Sequence, residues 1–97
     1  MELITDEIRK QIPPLYAQDK DPNPIAYVKF FMKNSNWTWY ATEFDGEDRF
    51  FGLVKGFEEE LGYFSLQELT EFSIERDVNF QPTCSPSCAK IDADAFQ

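Results

Sequence analysis

The spacing of hydrophobic positions changes along the chain. In "TDEIRKQIPP" (residues 5–14), Ile8 and Ile12 stand four apart and share a face, the spacing of a short helix. Thr5 can cap it, Asp6 and Glu7 sit in a first turn where acids complement the helix dipole, and Pro13-Pro14 ends it. Leu15 and Tyr16 then read as an anchor onto the body of the domain, and "AQDKDPNP" as a loop. From residue 26 the period falls to two. "AYVKFFMK" (26–33) sets Val28, Phe30 and Met32 against Tyr27, Lys29 and Phe31, and predicts a strand. "KNSN" is a turn. "NWTWYATEF" predicts a second strand, with Trp37, Trp39 and Ala41 on one face and Thr38, Tyr40, Thr42 and Phe44 on the other. Asp45-Gly46 signals a hairpin into "RFFGLV" (49–54).

"GFEEELGYF" fits two patterns. Phe57, Leu61 and Phe64 have helical spacing, while Phe57, Leu61 and Tyr63 fit a strand with Glu58 and Glu60 outward. Its short length between Gly56 and Gly62 favours the strand. Ser65 to Glu68 forms a capping box that opens a second helix, with Leu66 and Leu69 inward. "SIERDVNF" predicts a last strand. These elements define an α+β domain over residues 1–82, with a small, mostly antiparallel sheet of four to five strands and two short helices. Residues 83–97 read as a flexible tail.

Composition narrows the function classes. The net charge is -9. Residues 43–77 hold eleven acids against three bases, and the remainder seven acids against six bases, so the excess sits in the middle third. Such a surface repels nucleic acid and attracts a basic protein. No apolar run approaches the roughly 20 residues of a membrane span, and the acidic start is no signal peptide, so a cytoplasmic location is expected. The chain has no histidine, which removes the commonest general base and every histidine-containing metal site. Cys84 and Cys88 cannot complete a zinc site in one chain, and a reducing compartment disfavours a disulfide between them. No cofactor, metal or catalytic residue is expected.

Two clusters remain. The carboxylates Glu43, Asp45, Glu47 and Asp48 gather at a turn, and Glu58 with Glu60 lies further on. Their spacing does not match a calcium loop, and a turn tip offers little burial for acid-base work. A solvated hairpin end and a solubilising surface are the plain account of them, and a partner-binding patch the functional one. Trp37, Trp39 and Tyr40 form the densest aromatic group. Core packing is the plain account of it, and an interface anchor the functional one. Gly52 reads as room for a ring across the sheet.

The blocks "IPPLY", "YVKFF", "SNWTWYATEFDGED", "FFGLVKGFEEELGYFSLQEL" and "IERDVNF" resemble, in order from about Leu3 to Phe80, a bacterial family known as domain of unknown function 2958. Thr70 to Ser73 looks shortened against that pattern, and the cysteine-bearing tail matches nothing in it. The resemblance brings no catalytic residues. It implies a small accessory protein of plasmids, phages and conjugative elements.

The expected function is therefore an acidic interaction protein of a mobile element. It would bind a basic surface on a nucleic-acid-processing or defence complex by DNA mimicry, as a monomer or homodimer, without touching nucleic acid or membrane itself. The expected partner-binding residues are Trp37, Trp39, Tyr40, Glu43, Asp45, Glu47, Asp48, Glu58 and Glu60. The alternative is a small-molecule or metal-dependent enzyme using Glu43 and Asp45, which requires a buried carboxylate of raised pKa in a pocket.

Overall fold

Capping chemistry sets both helices where the sequence places them. The Thr5 hydroxyl accepts from the Ile8 amide at the start of α1 (Asp6–Gln11), and the Ser65 hydroxyl accepts from the Glu68 amide at the start of α2 (Leu66–Glu71). A computed structural model describes residues 2–86. Its strands are β1 (Ile25–Ala26), β2 (Val28–Phe31), β3 (Thr38–Phe44), β4 (Arg49–Lys55), β5 (Glu59–Ser65), β6 (Glu75–Arg76) and β7 (Thr83–Cys84). Five of them form one sheet in the order β5-β4-β3-β2-β6, antiparallel at every step. The remaining pair, β1 and β7, forms a two-stranded sheet. This is the expected α+β class.

The helices cover one face of the large sheet. Val28, Phe30, Ala41, Phe44 and Phe50 point into a buried cluster with Leu3, Ile4, Ile12, Leu69 and Ile74, and Ile8 and Leu66 pack against it. Phe50 lies at its centre. Its ring stacks on Phe44 at 4.3 Å and Phe64 at 5.3 Å and meets Phe30 edge-on at 5.4 Å.

A bulge in β3 breaks the simple alternation. Ala41 pairs with Gly52, but Glu43, not Thr42, pairs with Phe51. The extra residue returns Phe44 to the face of Trp39 and Ala41, where it is buried, so the expected grouping of Phe44 with Tyr40 does not hold. Gly52 faces the Tyr40 backbone. A Cβ there would lie 1.9 Å from the Tyr40 carbonyl oxygen, so this glycine admits a close main chain, not a ring.

Two boundaries differ from expectation. "SIERDVNF" pairs only at Glu75–Arg76. Asp77 then accepts from the Asn79 amide, turning the chain out of the sheet. Thr83 and Cys84, read as the start of a tail, pair with β1. Cys84 is disulfide-bonded, against the expectation of reduced thiols. Cys88 and the rest of the predicted tail lie outside the described residues. Among the described residues no helix is long and apolar enough to cross a membrane.

Candidate partner-binding surface

The expected site residues separate into three places. Glu43, Asp45, Glu47 and Asp48 sit at or near the β3–β4 turn, while Glu58 and Glu60 sit at the other end of seven-residue β4. Tyr40 is on the sheet face away from the helices. There it meets Phe80 edge-on at 6.0 Å and lies under the Lys29 ammonium at 5.6 Å.

Three of the four turn carboxylates are engaged by their own chain. Glu43 is only 3 % exposed. One of its oxygens accepts from the Tyr16 amide and the other from the Gln18 amide, each at 2.8 Å. The Gln18 side chain continues the tie. It donates to the carbonyls of Ile25 and Thr42 and accepts from the Ile25 amide. Glu43 therefore fastens the loop before β1 onto the sheet, and holds Tyr16 at a φ of 73° that a side chain seldom adopts. Asp48 serves α2: its carboxylate accepts from the Ser65 hydroxyl at 2.6 Å and the Gln67 amide at 2.9 Å.

Asp45 organises the turn. One oxygen accepts from the amides of Glu47, Asp48 and Arg49. The bonds from Glu47 and Asp48 are the main cause of a pKa lowered from the ordinary 3.8; desolvation opposes them, and the Arg49 amide and charge add smaller lowering contributions. A carboxyl shifted down stays ionised at neutral pH, the reverse of what the enzyme alternative requires. The sign for stability follows. Because the folded value lies below 3.8, the turn's gain from ionised Asp45 is complete above that pH and is lost as pH falls through the folded value. A carbon-detected NMR titration of Asp45 should give a midpoint below 3.8, and a midpoint at or above it would contradict this turn geometry. Among the described residues no group of three or more Cys, Asp or Glu side chains is placed to hold a metal ion.

The other end of the sheet has a different character. Trp37 and Trp39 lie side by side with centroids 5.9 Å apart, and Phe57 meets Trp37 edge-on at 5.7 Å. Gly56 makes this possible, since a Cβ there would strike the Trp37 ring at 2.4 Å. Phe57 is 96 % exposed, an unusual position for so large an apolar ring. Beside it runs an open groove of about 370 Å³ lined by Trp37, Val54, Phe57, Glu58, Glu60, Leu61, Gly62 and Tyr63. Gly62 forms part of its floor, and a Cβ built there meets nothing within 4 Å.

Glu59 is paired with Lys55 at 3.4 Å. Among the described residues Glu58 and Glu60 have no basic partner, so the groove has an acidic rim. Of the expected residues, then, the structure gathers Trp37, Glu58 and Glu60 at the groove, with Trp39 against Trp37. Phe57, Leu61, Gly62 and Tyr63 join them, although the spacing of the three apolar ones signals only a strand. The available signal was a pair of glycines bracketing apolar and acidic residues in one short strand.

The class is thus an α+β domain whose antiparallel sheet carries an acid-rimmed aromatic groove at one end. The chain belongs to the family described as Protein of unknown function (DUF2958), whose profile matches residues 3–94. The match runs past Phe80 and takes in the cysteine-bearing segment that the resemblance had left out. Neither curated proteins nor solved structures give a match.

Proposed function

We propose that this chain is a protein-interaction module that binds a basic, apolar-bearing segment of another protein at the groove beside Phe57. The observation that carries this reading is the exposed Phe57 ring on Trp37, set next to Glu58 and Glu60, which have no basic partner among the described residues. Aromatic anchors supply most of the energy at protein interfaces, and a charged rim supplies selectivity and rate. The reading keeps the expected basic partner and moves the contact surface. The Asp45–Asp48 turn suits DNA mimicry poorly, because Asp45 and Asp48 are committed to internal bonds. Inhibition of a nucleic-acid-processing or defence complex, in the setting of a mobile element, is one role such a module would serve.

The test is capture from a bacterial lysate with the tagged domain at low and high salt, repeated with two charge reversals. Glu58→Lys with Glu60→Lys should abolish the salt-sensitive capture, at a cost of roughly tenfold or more in affinity for the recovered partner. Glu47→Lys, at the far turn, should leave it within about twofold. Equal loss from both variants, or from neither, would remove the groove as the binding surface.

A further inference from the structure

We infer that the partner segment binds as an added β-strand along β5, antiparallel to it. A large apolar side chain stands opposite Gly62, and a Lys or Arg stands two residues further toward the partner's C-terminus. This rests on the proposed function and names how that surface is used. Strand addition needs a long free edge, a pocket for alternate side chains and a reason for register, and β5 has each.

The free edge comes from the topology. β5 ends the order β5-β4-β3-β2-β6, so its second edge meets no strand among the described residues. It is seven residues long, while the opposite edge strand, β6, has two. Proteins usually blunt an exposed edge with lysine, proline or a bulge. β5 has no lysine or proline, it pairs with β4 through seven consecutive positions without a bulge, and its only charges, Glu59 and Glu60, stand at its first two residues, so the edge from Leu61 onward is uncharged. Leu61 and Tyr63 remain 56 % and 51 % exposed on it.

Register follows from the alternation. Glu60, Gly62 and Phe64 share one face with Val54 and Trp39; Leu61 and Tyr63 share the other with Leu53 and Phe51. On the first face the bare floor at Gly62 leaves room for one incoming side chain between Glu60 and Phe64. A residue two places along an antiparallel partner then stands opposite Glu60, where a cation is favoured. The intervening residues stand opposite Leu61 and Tyr63, where apolar β-branched side chains fit. Charge also selects the occupant. Each chain carries -9, which opposes a second copy on the same edge and favours a basic segment.

The probe is the synthetic peptide Thr-Thr-Val-Val-Phe-Val-Lys-Thr-Lys, blocked at both ends, with the same peptide carrying Asp for Lys as control. Tryptophan fluorescence reads affinity, amide hydrogen exchange by NMR reads β5, and sedimentation reads self-association. The expected result is binding with added protection at alternate amides of β5. Affinity should fall roughly tenfold for the Asp peptide, and as much for the variants Gly62→Trp, which fills the floor, and Glu60→Lys. Unchanged circular dichroism of these variants excludes unfolding as the cause. Binding with no change in β5 exchange would overturn strand addition and leave the proposed acidic aromatic surface standing. Failure to bind at about 1 mM would overturn the inference, and the lysate test then decides the broader reading. A dimer whose β5 amides are protected without peptide would overturn it in favour of a second copy.

Discussion

Replacing Glu43 with Ala should destabilise the domain by on the order of 3 kcal/mol, because two amide donors lose a buried carboxylate together. In a domain of this size that is a fall in melting temperature of roughly 10–25 °C. The variant Glu43→Gln separates packing from hydrogen bonding. It keeps the volume but turns an NH2 group toward one of two amides that both need an acceptor, so it should recover less than half of the loss. Guanidinium unfolding followed by tryptophan emission measures both. A change below about 0.5 kcal/mol for Glu43→Ala would mean that the loop from Tyr16 to Gln18 is held by something other than this carboxylate. The same pair of variants addresses the enzyme alternative, since a residue that fastens a loop shows its loss first in stability.

The second large effect concerns Phe50. It is fully buried and touches three other phenylalanines. Phe50→Ala should cost about 3–5 kcal/mol, from lost transfer energy and from the cavity left among rings that cannot close it. Against a typical total of roughly 5–15 kcal/mol, that brings the domain near unfolding. Its neighbour Phe51 faces the other way, half-buried, with Tyr63 edge-on at 5.1 Å. Phe51→Ala should cost less than about 2 kcal/mol. Equal losses at the two positions would contradict the assignment of faces in β4.

Where residues repeat with a single period, the fold was legible. Val28 and Phe30 point inward as their alternation requires, and Thr5 and Ser65 cap the helices their side chains announce. Phe44 was misplaced because a bulge adds one residue to β3, and no side chain at residues 41–43 signals it. Glu43 was misread for a related reason. An acid near a hairpin turn belongs in water unless the chain brings donors to it, and the donors lie 25 and 27 residues away in sequence. For the site, chemistry was visible and position was not. Trp37, Glu58 and Glu60 have the residue types an interface uses, but their convergence depends on Gly56 admitting the Trp37 ring. The carboxylates around Asp45 look denser in sequence, yet spend their oxygens on amides and a hydroxyl that only the folded turn presents.

The order of strands also apportions the entropy of ordering the chain. β2, β3, β4 and β5 pair with sequence neighbours through short turns, so these ladders close small loops and demand little beforehand. The outer pairings are different. Phe30 must find Arg76, and Ile25 must find Cys84, across most of the described chain. A four-stranded meander, β2 to β5, can therefore assemble from local encounters, while β6 and β7 join it only once the intervening elements have drawn the chain ends together. The groove beside Phe57 lies within that meander, so the proposed binding surface is built from the contacts that cost least to form.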